Sequence, residues 1–520
     1  MRPELSGGPG PSTAAPRAAE VRLRLLFAGL ALALLASELD QTVFATALPT
    51  VVGELSGVQD MLWVNTAYIL AGTVTMPVYG KLSDLVGRKP LLVAALLVFL
   101  AGSVLGGLST DMTTLIAART IQGLGGGGLI ILIQAVVADV VPARERAGYL
   151  SAIGAVFALS AVAGPVVGGW LTEGVGWRWA FWLNLPLGGL AVLAVMLLLH
   201  EPPRTADRVR LDVWGFTVLA VGVTALILLA SWGGTRVAWS SPVSLGLAAV
   251  VLAAAAAFVA VERRAEEPII PLSLFTDRTF RAAVVAGLVM AVAMFGTLGY
   301  LPTYLQMVTG LGPTAAGMAM LTLVTGLALS TVGSAWLVRR TGRYRTLPLL
   351  GSLLVAVALA LLSTLTPQTP LVLVGIYLLG LGLGIGCAWE VLVVVVQNTA
   401  PASAVGAATA TNSFFREIGV GLGSALVGAL FTARLGTLLA ERVPAAGGLA
   451  VTTDELTPAL VQALPPAVRA AVAGAYNDAL TPVFALLVPV VLLSAAALLT
   501  VREVPLGTSG RDRDGAQRLE

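Results

Sequence analysis

The sequence predicts an all-α membrane protein with fourteen transmembrane helices, arranged as two six-helix halves with two extra helices inserted between them. Three observations predict this. First, of 520 residues 57% are hydrophobic and only 11% charged, against about 25% charge in an ordinary soluble domain. So few ionised groups cannot cover a soluble core, which excludes a string of soluble domains. Second, apolar stretches near the ~20 residues that cross a bilayer as a helix recur along the chain. Third, the basic residues between those stretches fall on one side.

Taken in order, the spans are expected near 25–48, 61–80, 91–108, 113–138, 147–171, 179–200, 213–232, 243–261, 282–302, 314–338, 346–365, 371–397, 405–432 and 480–500. Residues 1–24 read as a disordered cytoplasmic tail, rich in Pro, Gly and Ala, and 501–520 as a second one. The first half then covers 25–200, the inserted linker helices 201–262, and the second half 263–500. A long outer loop is expected at 433–479, with an amphipathic stretch over Pro465–Ala479. The first span is too long for a cleavable signal, and an Asp lies in its outer part.

Of the 31 Lys and Arg residues, 24 lie in the tails and loops on the N-terminal side. Four (Arg236, Arg434, Arg442 and Arg469) lie on the opposite side, and Arg119, Arg178 and Arg416 fall in or beside spans. This asymmetry puts both termini in the cytoplasm and fits an even number of spans. Gly80-Lys-Leu82-Ser-Asp84-Leu-Val-Gly87-Arg88 recurs, shifted by 255 residues, as Ala335-Trp-Leu337-Val-Arg339-Arg-Thr-Gly342-Arg343. Leu, Gly and Arg match, while Asp84 becomes Arg339. Two repeated halves explain that spacing, and repeat-built transporters hold substrate where such halves meet.

Charged groups within spans cost about 2.5–3.5 kcal/mol each on insertion scales, so each needs a partner or a wet cavity. Six qualify: Glu38, Asp40, Arg119, Glu390, Arg416 and Glu417. The helical rise puts Asp40 and Arg119 at a similar depth, roughly 10 Å below the outer boundary, so contact between them is geometrically allowed. Such a pair is either a proton site, the carboxylate leaving Arg⁺ and becoming protonated, or a static structural bridge. Glu38 is on a different helical face from Asp40. Glu390 lies in the inner half of its span, where it either meets a cationic substrate or proton or pairs with Arg416. Arg416 and Glu417 read as residues that orient their helix.

The other motifs exclude several activities. Gly123-Leu-Gly125-Gly126-Gly127-Gly128 satisfies GxGxxG, but inside an apolar span it serves close helix packing, not dinucleotide binding. No GxxxxGK[ST] occurs, so ATP-driven transport by this chain is not indicated. One Cys (Cys387) and one His (His200) exclude an internal disulfide and a Cys/His zinc site, and His200 reads as a helix-end residue. No metal, cofactor or nucleic acid is expected. In the fifth span, Pro165 removes a backbone donor and bends the helix, and Gly164 and Gly168 form a tight contact face with Gly169 beside it.

These residues together resemble the 14-helix drug:proton antiporters of the major facilitator superfamily. The resemblance lies in Leu39-Asp40-Gln-Thr42-Val43-Phe-Ala-Thr-Ala47-Leu48-Pro49, in Gly80 to Lys89, in Arg119-Thr-Ile-Gln122-Gly123, and in Gly164-Pro165-Val-Val-Gly168-Gly169. Trp177-Arg178-Trp179-Ala-Phe181-Trp-Leu-Asn184-Leu-Pro186-Leu-Gly188 and Pro302-Thr-Tyr304-Leu-Gln306 are also similar. It implies proton coupling by Asp40 and Arg119, to which depth alone adds Glu38. It implies gating by the Gly80, Asp84, Gly87 and Arg88 motif and by Gly164-Pro165 with Gly168 and Gly169. Gln122, Tyr304 and Gln306 are expected in a substrate cavity, with Glu390 added on depth. Arg339 in place of an acid makes any latch asymmetric, and the lack of an acid between Ala315 and Val338 argues against divalent cations.

The expected function is proton-coupled export of amphipathic small molecules such as drugs, dyes and antibiotics, by a monomer in the bacterial cytoplasmic membrane. Export of an endogenous metabolite, lipid or self-made antibiotic would use the same chemistry. A membrane enzyme would need a clustered nucleophile or acid/base set, where only scattered carboxylates occur. A channel is the remaining distant alternative.

Overall fold

The computed structural model describes residues 14–55, 60–200, 212–234, 236–445 and 458–503. Among them regular structure is helical, apart from an isolated bridge between Gly233 and Val237. The chain passes through α1 (Ala14–Leu55), α2 (Met61–Val86), α3 (Arg88–Gly107), α4 (Met112–Val140), α5 (Ala143–Glu173), α6 (Trp179–Trp182) and α7 (Asn184–Leu198). Then come α8 (Val213–Trp232) and α9 (Pro242–Glu262). The remainder is α10 (Arg278–Leu298), α11 (Leu301–Val308), α12 (Pro313–Thr341), α13 (Thr346–Leu362), α14 (Leu371–Thr399), α15 (Val405–Ala445), α16 (Pro458–Ala463) and α17 (Pro466–Leu499).

Among the described residues ten helices are long and apolar enough to cross a membrane, or eleven when the two limbs of α5, inclined by 41°, count as one span. The expected spans at 25–48 and 61–80 lie in α1 and α2, and that at 346–365 starts with α13, which is shorter and ends at Leu362. The outer surface is what hydrocarbon requires: Trp214, Leu252 and Val372 are 74%, 72% and 76% exposed. In water such a surface would aggregate.

The packing repeats. In the first group α1 contacts α5 and α7, α2 contacts α4, and α3 contacts α4 and α7. In the second, α10 contacts α15 and α17, α12 contacts α14, and α13 contacts α14 and α17. The groups meet where α2 lies on α15 and α5 lies on α12, a reciprocal exchange of equivalent helices. Gly87 and Gly342, 255 residues apart, both take positive φ (107° and 69°) where one helix turns into the next, a conformation that favours glycine. Helices α8 and α9 pack on each other, and α8 touches α2 and α15.

Two boundaries differ from expectation. Residues 14–24 are helical, and Arg22 donates from Nε and Nη2 to the Leu198 carbonyl (3.1 and 3.0 Å). Lys89 Nζ caps the same helix end at Met196 O (2.7 Å), a favourable place for cations. The expected outer loop 433–479 is largely helix, because α15 runs on to Ala445 and α17 begins at Pro466. An Arg442–Asp478 ion pair of 2.8 Å and an Arg434 bond to the Asp478 carbonyl (2.9 Å) hold these extensions together. Residues 446–457, like 1–13, 201–211 and 504–520 of the tails and linker, lie outside the described residues. At the same end of the bundle Arg178 and Trp177 donate to Glu54 (2.6 and 2.7 Å), which holds that carboxyl below its usual range.

The glycine run of α4 does pack helices. A Cβ on Gly125 would lie 2.5 Å from the Ala95 carbonyl of α3, and one on Gly127 would lie 2.6 Å from Gly72 Cα of α2. Neither backbone can retreat without opening the bundle. Gly127→Val should therefore destabilise the protein by about 1–3 kcal/mol, as overpacking does. Gly246→Ala on α9, where a Cβ meets nothing within 4 Å, should change stability by less than about 0.5 kcal/mol. Thermal unfolding of both variants in detergent checks this.

Candidate functional site

The deepest polar structure joins α1, α3, α4 and α7. Asp40 of α1 forms an ion pair with Arg119 of α4. Its other oxygen accepts from Gln122 Nε2 (3.1 Å) and Asn184 Nδ2 (2.8 Å). Arg119 Nη1 also donates to Gln122 Oε1 (3.0 Å). Ser103 Oγ accepts from Gln122 (2.9 Å) and Asn184 (3.2 Å) and donates to the Phe99 carbonyl (3.0 Å). The guanidinium lies between the Phe44 and Tyr68 rings, 4.9 and 4.5 Å from their centroids. Asp40, Arg119, Gln122, Ser103 and Asn184 are all at most 2% exposed.

Local sequence builds this. Arg119 and Gln122 are three apart on α4 and share a face. Gly102 lets α4 approach α3, since a Cβ there would lie 2.5 Å from Gln122 N. Two buried opposite charges are tolerated here because hydrogen bonds occupy both carboxylate oxygens. Asn184, Ser103 and Tyr68 gained no role from the sequence. The available signal was polarity inside apolar runs, which does not say which runs face each other. Gln122, expected on a cavity wall, is instead sealed into this network.

Glu38, one face round from Asp40, is half-buried and within Coulombic reach of both Asp40 and Glu417 of α15. Thr42 donates to the Ser160 carbonyl of α5 (3.1 Å), and Gly164 abuts Thr42, with a Cβ there lying 3.2 Å from its carbonyl carbon. Gly168 is buried, whereas a Cβ on Gly169 would meet nothing within 4 Å, so Gly169 lies off the tight contact. The limbs of α5 bend between Ala161 and Val166, a stretch that includes Pro165. The Pro165 side chain lies outside the described residues.

A second charged group stands where the helix sets meet. Glu390 of α14 faces α5, its Cγ 3.6 Å from where a Gly154 Cβ would stand. It makes no ion pair with Arg416, whose guanidinium is stacked 3.5 Å from the Trp389 ring centroid. Glu390 Oε2, Arg416 Nε and Nη1, and both side-chain polar atoms of Asn412 are buried without hydrogen-bond partners. Glu417 is about 100° further round α15 than Arg416 and lines a cavity between α2, α8 and α15 instead of bonding to a neighbouring helix. Tyr304 and Gln306, expected in a substrate cavity, do not line it. Tyr304 is buried and donates to Asn477 of α17 (2.8 Å), and Gln306 bonds to Pro302 O of its own helix (3.3 Å).

At the basic end, Asp84 spans the two helix sets. Its oxygens accept from the backbone N–H groups of Gly406 (2.9 Å) and Ala407 (2.8 Å) at the start of α15, a favourable site for a negative charge. Arg88 holds Asp84 (2.6 Å) and Asp139 (3.2 Å) and bonds to Ser83 (3.0 Å). Gly80 permits the approach, since a Cβ there would lie 2.7 Å from Gly406 O. At the repeat position Arg339 is exposed, and the Tyr344 N–H is met by Glu503 (2.9 Å) from beyond α17. The clasp is thus one-sided.

Comparison with known proteins follows the same lines. The Major Facilitator Superfamily profile matches residues 30–424. An uncharacterized MFS-type transporter of Mycobacterium tuberculosis is 40% identical over 525 residues, covering 98% of this chain and 75% of the relative. The multidrug transporter protein MdtP of Bacillus subtilis is 34% identical over 419 residues, covering 81% and 77%. The crystal structure of the human organic anion transporter MFSD10 (TETRAN) superposes with a TM-score of 0.61 over 91% of this chain and 99% of that one. At 16% identity it is similar in fold alone.

The clasp can be read by hydrogen exchange. Asp84→Ala should speed exchange of the Gly406 and Ala407 amides about 2- to 30-fold, the range that corresponds to losing a helix cap. Exchange in α13 should not change.

Proposed function

The chain belongs to the Major Facilitator Superfamily, and on that premise we propose that it is a proton-coupled antiporter. It exports amphipathic small molecules, drugs and dyes among them, from the cytoplasm, with both termini on the cytoplasmic side. The observation that carries this reading is the sealed Asp40–Arg119 network at membrane depth. MdtP, a relative named as a multidrug transporter, supports the substrate class.

The chemistry follows from Asp40. Ionised, it holds Arg119, Gln122 and Asn184 together. Protonated, it ceases to balance Arg119, whose charge is left to the Gln122 oxygen and two aromatic faces. The cost of that unpaired charge displaces α1 relative to α4. Through Thr42, Ser160 and Gly164 the displacement reaches α5, which packs on α12 of the other helix set. Glu38, half-buried beside Asp40, is the acid through which a proton enters. The unpaired polar atoms of Glu390, Asn412 and Arg416 are groups that substrate or water satisfies when the halves part, since burying them unpaired is costly. Protonation and substrate binding then oppose each other reciprocally. One proton crossing 100 mV supplies about 2.3 kcal/mol, enough for a gradient of roughly 50-fold in a neutral substrate.

Reconstituted liposomes with an imposed pH gradient and a panel of dyes and drugs test this. Asp40→Asn should leave folded protein in the membrane, abolish gradient-driven efflux and spare substrate binding. Undiminished proton-driven efflux by that variant would remove Asp40 from the mechanism.

A further inference from the structure

A cavity of about 480 Å³ lies between α2, α8 and α15, within the usual size of small-molecule sites. It is separate from the Asp40 network, which is closed inside the first helix set. Facing it, α15 presents Gly421, Ser424, Ala425 and Gly428. A row of small residues in a membrane normally lets a second helix come close. Here α8 stands off and molecular-sized space remains. The stand-off is held at one end by the Trp63–Trp232 edge contact between α2 and α8, with ring centroids 6.1 Å apart. The turn that follows α8 is shaped around Trp239. A Cβ on Gly233 would lie 2.7 Å from the Trp239 ring, and Gly234 has φ 74°. Trp239 and Tyr300 both line the space.

Glu417 lines the same space. It is twelve residues into α15, so about 18 Å from the helix start and near the middle of the bilayer. Among the described residues it has no hydrogen bond or ion pair, and Arg416 beside it is turned onto Trp389. A carboxylate at that depth needs a positive partner or a proton. The other walls are mostly apolar, with Ile69 of α2 and Leu226 of α8 set among the hydroxyls of Thr66, Thr73 and Ser231. A largely apolar chamber with two aromatic side chains, a few hydroxyls and one central carboxylate is complementary to a lipophilic organic cation. A lipid tail would leave the acid unpaired, and an anion would be repelled by Glu417 and by Glu38 within Coulombic reach.

We propose that the space between α2, α8 and α15 is a binding site for lipophilic organic cations, paired to Glu417 and flanked by Trp239 and Tyr300. Helix α8, whose outer face is lipid-exposed, forms its wall on the bilayer side. The inserted helix thereby acquires a role in recognition. The site names a substrate class for the proposed export and so rests on that reading.

The test is equilibrium binding of tetraphenylphosphonium to the full chain in phospholipid nanodiscs, with neutral triphenylphosphine oxide as comparison. The wild type should bind the cation, and Glu417→Gln should weaken it at least tenfold while changing the neutral compound less than threefold. Ser424→Trp, which fills the cavity from an exposed position, should abolish binding of both. Wild-type cation affinity in Glu417→Gln overturns the site. So does release of a phospholipid by Ser424→Trp, seen by native mass spectrometry, with cation affinity unchanged. Should Ser424→Trp fail to fold, the isosteric Glu417→Gln decides alone. Proton-driven export of a neutral dye by protein that binds no cation overturns this site and leaves the export reading standing. Glu417-dependent binding without proton-driven export does the reverse.

Discussion

A guanidinium at membrane depth must find a counter-charge, and Arg119 finds Asp40. Much of the first helix set follows from that requirement. Both carboxylate oxygens need further donors, which brings Gln122 of α4 and Asn184 of α7 into the same place. Both amides then meet at Ser103 of α3. Four helices are thereby fixed in register, and glycine is needed wherever a backbone must come close enough to allow it, as at Gly102. The apolar bulk of the spans drives them into the bilayer but does not select their neighbours, because lipid is as apolar as leucine. Polar contacts and close glycine packing do the selecting.

The second helix set repeats the packing without the charge pair. The offset of 255 residues that relates Gly87 to Gly342 carries Asp40 to Phe295 and Arg119 to Val374. The charges of this set lie elsewhere, and Glu390 and Arg416 keep polar atoms without partners. In the first set Asp40 and Arg119 are ion-paired, although Arg119 Nε has no hydrogen-bond partner among the described residues, whereas in the second Glu390 and Arg416 make no ion pair with each other. The clasp is unequal in the same way, with Asp84 capping α15 on one side and Arg339 exposed at the matching position.

Several features were legible from residue order. The apolar runs located the helices, and counting the helical rise brought Asp40 and Arg119 to the same depth. The loop echo pointed to the repeat. Where the reading stopped, the reason was directional. Depth is a one-dimensional coordinate, whereas contact also needs the angle of each residue about its helix and the identity of the neighbouring helix. Gln122 was therefore expected on a cavity wall and lies inside the network. Tyr304 was expected in the same cavity and packs against α17. Arg416 and Glu417 are adjacent in sequence, yet one stacks on Trp389 and the other lines an open space. The outer segment shows the same limit: an amphipathic stretch was legible at Pro465–Ala479, but not that α15 extends to Ala445 and that its Arg442 and Arg434 reach Asp478 of α17.

The sequence by itself determined that this is a polytopic helical membrane protein, where its long apolar runs lie, that a loop motif repeats, and which few charges fall inside those runs. Hydrophobic length and charge placement are local properties, and the bilayer reads them locally. Only the tertiary structure decided which helices meet, that Asn184 and Ser103 complete the network, that Asp84 caps α15 across the molecule, and that the inserted α8 encloses a cavity. Those outcomes depend on side-chain direction and on pairings between residues a hundred or more positions apart. In a bilayer they are set by hydrogen-bond geometry and steric fit, neither of which is written in the hydrophobic pattern.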